Sequence, residues 1–119
     1  MALDPVALVT RYHEALNRYG AEEVQHFFAP TARYVSPGIN GSIEGRDAII
    51  AAFSAYFAEH PDQHSVDDRI EAIGPNAARS HWRLKATSKS TGLPYERQGI
   101  ETVTFDASGR IALVEVEDR

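Results

Sequence analysis

The chain has 119 residues, a formal net charge of -5 and no cysteine. That length predicts one domain, spanning residues 1–119, with a core that needs no disulfide staples. The lack of cysteine excludes thiolate nucleophiles and cysteine-bound zinc and is typical of a reducing compartment, so we expect a cytoplasmic protein. The Lys and Arg residues are scattered rather than clustered, which argues against a nucleic-acid partner.

The sequence also argues against a membrane partner. Residues 1–5 lack the basic and apolar regions of a secretory signal. The longest apolar run, residues 48–53, is far too short to span a bilayer.

The N-terminal half is patterned as three helices. The first has Asp4 as its cap, Pro5 at its first position and Gly20 at its exit. A short second helix stops at Pro30, and the third runs over Arg46–Glu59. The buried face of the first helix consists of apolar residues spaced three and four apart: Val9, Tyr12, Leu16 and Tyr19.

The C-terminal half is patterned as strands. A short strand fits residues 32–36, before turn signals at Pro37-Gly38 and Asn40-Gly41. The longer predicted strands are residues 65–73, 78–88, 95–105 and 110–118. Connections of hairpin length make the last three strands antiparallel neighbours. Helices first and an antiparallel sheet last is an α+β pattern.

Two carboxylates fall on strand faces that are otherwise apolar. By alternation, Glu101 lies on the same face as Val103, and Asp118 on the same face as Val116. A buried carboxylate is costly unless it is paired or neutral, and such groups concentrate at functional sites. Glu101 is therefore a candidate for chemistry, unless it reaches solvent or pairs with an arginine such as Arg97. Asp118 is the weaker candidate, because chain ends fray.

The histidines do not form a recognisable metal site. His60 and His64 are four apart, but Pro61 between them prevents a continuous helix. His13 and His26 lie on predicted helices without a matching carboxylate spacing. We therefore expect no metal. Because there is no glycine-rich phosphate loop either, we expect no cofactor.

Five segments occur in order along nearly the whole chain: residues 11–17, 27–30, 34–38, 44–49 and 104–111. Together they resemble the SnoaL-like branch of the nuclear-transport-factor-two-like superfamily, which includes ketosteroid isomerases. The resemblance implies a cone-shaped α+β half-barrel, in which a strongly curved antiparallel sheet wraps around three helices and encloses an apolar cavity. Members include isomerases, polyketide cyclases, dehydratases, epoxide hydrolases and proteins that only bind, so the fold alone does not choose a reaction.

The resemblance further implies a homodimer that forms through the outer sheet face. The outward face of the predicted strands mixes polar and apolar groups, which suits such an interface. The residues that carry this face are His81, Thr102, Thr104 and Leu113.

The likeness to ketosteroid isomerases also implies roles for individual residues. Those enzymes use an aspartate base, with a tyrosine and a protonated aspartate that donate hydrogen bonds to the enolate oxygen. By position in the matching segments, the tyrosine corresponds to Tyr12, the protonated acid to Glu101 and the base to Ser36. A serine hydroxyl needs its own base near neutral pH, so the catalytic set is incomplete and Asp118 is the plausible inward base that remains.

Two functions therefore stay open. The first is a pocket domain that binds a small, largely apolar molecule. The second is a cofactor-independent acid–base enzyme of the isomerase, dehydratase, hydratase, hydrolase or polyketide-cyclase type, with Tyr12 and Glu101 as hydrogen-bond donors and Asp118 as base. The incomplete catalytic set favours the first. The predicted ligand-lining residues are Leu16, Phe28, Tyr34, Ser36, Phe53, Phe57, Trp82, Leu84, Val103, Val114 and Val116.

Overall fold

The computed structural model describes residues 3–18, 21–37 and 41–119. The helices are α1 (Pro5–Asn17), α2 (Ala21–Val24), a 3-10 turn (Gln25–Phe27) and α3 (Arg46–Glu59). The strands are β1 (Phe28–Ser36), β2 (Gly41–Glu44), β3 (His64–Gly74), β4 (Ala77–Thr87), β5 (Pro94–Phe105) and β6 (Ile111–Asp118). None of the helices in these described ranges has the length and apolar character that a bilayer crossing requires.

Helices α1 and α3 follow the sequence signals closely. The Asp4 carboxylate accepts a hydrogen bond from the backbone N–H of Ala7 at 3.1 Å, and Pro5 opens α1, as predicted. Helix α3 has the predicted bounds, and the His60 backbone N–H donates to the Tyr56 carbonyl at its end. The predicted exit at Gly20 lies outside the described residues, as does Tyr19.

The six strands form one sheet in the order β2-β1-β6-β5-β4-β3. The hairpin pairings β3–β4, β4–β5 and β5–β6 are antiparallel, which confirms the prediction for the C-terminal strands. Strand β1 pairs antiparallel with β2 and parallel with β6. The curved sheet and the three helices form the expected α+β cone.

Strand β1 departs from the predicted bounds. It begins at Phe28 rather than at residue 32, so Pro30 lies inside the strand instead of ending a helix. The strand tolerates this proline because its register with β6 shifts between Phe28 and Arg33, where a missing N–H costs no regular ladder bond. The predicted turn at Gly38 and Asn40 lies outside the described residues.

Strand β2 was not predicted. It has four residues and little apolar character, so neither its length nor its alternation marks it as a strand. It forms as the antiparallel partner of β1, with Tyr34 opposite Ile43. Tertiary pairing therefore creates this element where local pattern does not.

The core lies between the helices and the inner face of the sheet, as alternation predicted. Val9 from α1, Ile49 from α3 and Val103 from β5 are all fully buried. Trp82 and Leu84 of β4 are also buried, which confirms the predicted inner face of that strand. The same inner face forms the wall of the cavity.

Candidate ligand-binding site

A cavity of about 90 Å³ lies between α1, α3 and the inner face of the sheet. One water needs roughly 10–15 Å³, so the interior is hollow rather than filled. The residues that line it are His13, Leu16, Tyr34, Ser36, Phe53, Tyr56, Phe57, Gln63, Ser65, Trp82, Leu84, Arg97, Glu101 and Val116. Most of these side chains are apolar or aromatic, as is usual for small-molecule sites.

Most of the predicted lining residues reach this cavity. Those that do are Leu16, Tyr34, Ser36, Phe53, Phe57, Trp82, Leu84 and Val116. Phe28, Val103 and Val114 are instead fully buried in the core and are not among the lining residues, which corrects their predicted place. Phe28 packs against the ring of Phe53 at 6.0 Å between centroids, so it supports a cavity wall without reaching the hollow.

Glu101 projects into the cavity wall from β5, and His13 of α1 holds it there. The imidazole Nε2 of His13 pairs with Oε1 of Glu101. On its other side, Nδ1 of His13 lies 2.8 and 2.9 Å from the two carboxylate oxygens of Asp67 on β3. His13 is 8% exposed and Glu101 6%, so this pair is buried, whereas the Asp67 side chain is 20% exposed.

The two carboxylates determine the charge of the histidine between them. Burial disfavours an imidazolium, but the negative charge of Glu101 and the hydrogen bonds to Asp67 and Glu101 outweigh it and raise the pKa of His13 to about 10. His13 is therefore protonated at neutral pH, and both of its N–H groups donate. Glu101 meets this histidine as a hydrogen-bond acceptor.

Asp118 does not take part in this network. Its carboxylate accepts two hydrogen bonds from the guanidinium of Arg97, at 2.6 and 3.2 Å, and its side chain is 41% exposed. It does not line the cavity, which corrects the expectation that Asp118 is an inward base. Strand alternation correctly placed Asp118 on the same face of β6 as Val116. However, β6 continues past the cavity to the cavity rim, where Asp118 lies opposite Gly99.

Arg97 forms part of the rim of the cavity. Its guanidinium carbon lies 5.3 Å from the centroid of the Trp82 ring, within the range of a cation–π contact. Arg97 forms its ion pair with Asp118, and Glu101 pairs with His13, so the alternative pairing of Arg97 with Glu101 does not form. Nearby on α3, Tyr56 completes this part of the lining.

Tyr12 lies deeper than the resemblance implied. It is fully buried, edge-on to the ring of Phe28 at 5.6 Å, and it does not line the cavity. Its hydroxyl has no well-formed hydrogen bond among the described residues. Burial, followed by the neighbouring Tyr34 and Glu101, raises the pKa of Tyr12 well above its ordinary value. The tyrosines that line the hollow are Tyr34 and Tyr56.

Sequence reasoning missed His13, the partner of Glu101, and Asp67, which pairs with the other nitrogen of His13. His13 follows the buried Val9 by four positions and precedes Leu16 by three, so helical spacing alone puts it on the inner face of α1. That spacing predicts an inward side chain but does not show what the side chain contacts. Asp67 gave no signal, because β3 alternates weakly. In the described ranges no cluster of three or more His, Asp or Glu side chains is placed to hold a metal ion.

The fold and the cavity allow the chain to be compared with known proteins. Its sequence matches the SnoaL-like domain family over residues 9–114, which is most of its length. The chain belongs to the SnoaL-like family. A search of the curated proteins found no match to this SnoaL-like domain.

Solved structures agree with this assignment at low sequence identity. A protein of unknown function with a nuclear-transport-factor-two-like fold, from Exiguobacterium sp. 255-15, is 14% identical with a TM-score of 0.82, covering 94% of this chain and 98% of that one. A second structure is that of SalBIII, an epoxide hydrolase/cyclase-like enzyme with a role in pyran ring formation in the polyether salinomycin. It is 14% identical with a TM-score of 0.83, and the match covers 95% of this chain and 88% of that one.

RV0760c from Mycobacterium tuberculosis, solved in complex with estradiol-17beta-hemisuccinate, is 15% identical with a TM-score of 0.82, covering 96% of this chain and 93% of that one. At these identities the likeness shows a shared fold. It does not assign an activity.

Proposed function

We propose that this SnoaL-like domain binds a small, largely apolar molecule in the cavity between α1, α3 and the sheet. The walls supply apolar contact through Phe53, Trp82 and Leu84. The hollow is large enough to hold more than water. The complex of RV0760c with an estradiol derivative, in the same fold, supports this proposal by analogy.

The observation that carries the proposal is a carboxylate in a largely apolar wall. Glu101 is the acidic side chain among the described cavity-lining residues. Burying it costs free energy that His13 offsets only in part. A hydrophobic side chain would satisfy the core at lower cost, so the carboxylate is better explained by contact with a ligand.

Filling the hollow tests this proposal. Val116 lines the cavity, whereas Leu113, on the same strand, is not among the lining residues. We expect Val116→Phe to weaken binding of small aromatic probes about tenfold or more, which corresponds to about 1.4 kcal/mol. Leu113→Phe, the matched control, should bind as the wild type does in isothermal titration calorimetry. Equal binding by both variants would contradict the proposed pocket.

A second candidate function, an acid–base enzyme, is favoured by the Asp67–His13–Glu101 network. In that case Glu101, rather than Asp118, would accept the proton of a substrate hydroxyl whose oxygen attacks an epoxide carbon. The epoxide C–O bond breaks, and water protonates the oxygen that is released. The same fold in the epoxide hydrolase/cyclase-like enzyme SalBIII supports this candidate by analogy. Turnover of a hydroxy-epoxide that is lost in Glu101→Gln would favour the enzyme. Binding without turnover across such substrates favours the first proposal.

We also propose that two copies associate through the outer sheet face. His81, Thr102, Thr104 and Leu113 on this face are only partly buried and mix polar with apolar groups. Sedimentation velocity at high micromolar concentration tests this, and a strict monomer would contradict it.

A further inference from the structure

Starting from the binding function proposed above, we infer that the cavity selects ligands with a hydrogen-bond donor, such as a neutral alcohol or phenol, and disfavours oxyanions. Glu101 is the group that makes this selection, because it faces the ligand as an acceptor. This polarity is the reverse of the role that the resemblance to ketosteroid isomerases implied for Glu101, that of a protonated donor to an oxyanion.

The first step is the direction of the hydrogen bonds around His13. Its Nδ1 donates to Asp67 and its Nε2 to Glu101, so neither nitrogen is left to donate to a ligand. The raised pKa of His13, about 10, keeps both protons in place at neutral pH. An oxyanion placed beside this pair would find two carboxylates and no free N–H of the imidazolium.

The second step is the free capacity of Glu101. Oε1 pairs with His13, and no other hydrogen bond to this carboxylate occurs within residues 3–18, 21–37 and 41–119. Because Glu101 lines the cavity, its Oε2 can accept a hydrogen bond from a ligand hydroxyl. A hydrogen bond to a charged group contributes roughly 1.5–3 kcal/mol.

The third step is the charge balance of the wall. Asp67 and Glu101 with protonated His13 carry a net charge of about -1 in a partly buried setting, where charges are less screened than in bulk water. Arg97 is a cation in the lining, but its guanidinium is paired with Asp118 at the rim. The inner wall therefore repels an anion and attracts a donor.

The rest of the cavity wall is mostly apolar and aromatic, with the guanidinium of Arg97 over the Trp82 ring. The favoured ligand is therefore a compact apolar molecule that carries a hydroxyl group.

4-Nitrophenol fits this description, and its phenolate is yellow, so its absorbance reports its ionisation when bound. With the dye half-ionised in buffer, we expect added wild-type protein to lower the phenolate absorbance, because Glu101 stabilises the neutral hydroxyl form. The methyl ether 4-nitroanisole has the same ring and nitro group without the donor. We expect it to bind about tenfold more weakly, the equivalent of one lost hydrogen bond.

A substitution tests whether the Glu101 carboxylate causes the fall in phenolate absorbance. Because the apolar walls alone also disfavour the phenolate, Glu101→Gln should make the fall in phenolate absorbance clearly smaller without removing it. Glu115→Gln, a matched change of an exposed glutamate on β6, should retain the full fall. If Glu101→Gln fails to fold, the comparison of the two dyes on the wild-type protein still decides the question.

The outcomes separate this inference from the function on which it rests. A rise in phenolate absorbance, or equal affinity for the phenol and its ether, overturns donor selection and leaves the pocket as a binding site. Binding of neither dye up to its solubility limit contradicts the pocket itself, and donor selection with it.

Discussion

The imidazole of His13 is joined to both carboxylate oxygens of Asp67, at 2.8 and 2.9 Å, across 54 positions of the chain. This contact ties α1 to β3 at the wall of the cavity and orients the ring so that Nε2 meets Glu101. An oriented, protonated histidine between two carboxylates links the packing of the first helix to the charge of the site.

Loss of His13 should be strongly destabilising. His13→Leu leaves Asp67 and Glu101 partly buried without their shared cation, and breaking such a buried network typically costs about 3–5 kcal/mol. Urea unfolding monitored by Trp fluorescence measures this loss. His26→Ala, at an exposed histidine, should change the free energy of unfolding by less than about 0.5 kcal/mol.

The double variant His13→Leu/Glu101→Leu provides an internal check. With both partners replaced by apolar side chains, part of the lost stability should return, since well-packed hydrophobic groups often replace buried ion pairs without loss. A double variant that is less stable than His13→Leu would show that Glu101 makes a stabilising contact besides the one to His13.

The stability of the protein should fall as pH rises above neutrality. The pKa of His13 is raised from 6.5 to about 10 on folding, so between these values the folded state holds a proton that the unfolded state has released. The contribution of His13 is therefore complete below pH 6.5 and is lost as pH rises through about 10. Within that window the free energy of unfolding should drop by up to about 1.4 kcal/mol per pH unit.

Nitrogen NMR of the His13 ring tests the charge state directly. We expect imidazolium shifts that persist well above neutral pH, because the pKa of His13 is raised to about 10. A neutral His13 ring at pH 7 would contradict the assigned charge, and with it the acceptor role of Glu101.

The fold could be predicted from sequence where a segment is long and its apolar residues recur with a clear helix or strand period. Helix α3 and the three C-terminal hairpin strands are long and regularly patterned, so local pattern and tertiary structure agree there. Strand β2 and the first half of β1 could not be predicted. Strand β2 is short and polar, and the first half of β1 contains Pro30. Both therefore form only through pairing with other strands.

The site could be predicted only in part, for a related reason. Strand alternation places Glu101 inward, and helix spacing places His13 inward, but neither says that the two side chains meet. Which cation reaches Glu101 depends on how α1 crosses the sheet. Arg97 lies four residues before Glu101 on β5, and it is carried to the rim, where Asp118 is the nearer partner. Such long-range contacts are not encoded in any local pattern.

Gly99 should be intolerant of even one added methyl group. A Cβ at this position would lie 2.0 Å from the backbone carbonyl oxygen of Glu117, where β5 and β6 approach closely beside the site. We expect Gly99→Ala to lower the free energy of unfolding by about 1–3 kcal/mol or more, because neither backbone can yield easily. Gly74→Ala, with open space around its Cβ, is the matched control and should be near neutral in the same urea titration. Equal stability of the two variants would contradict the close approach.

Asp118 should prove dispensable for both folding and binding. Its ion pair with Arg97 is partly solvent-exposed, and pairs of this kind contribute roughly 0–1 kcal/mol. Asp118→Asn should therefore leave the urea midpoint nearly unchanged and bind 4-nitrophenol as the wild type does, because Asp118 does not line the hollow. Arg97→Ala removes a lining side chain and the cation–π contact with Trp82, so it should weaken binding. If Asp118→Asn instead abolished binding or turnover, the carboxylate would have to turn inward in the liganded state, and the acceptor role would pass from Glu101 to Asp118.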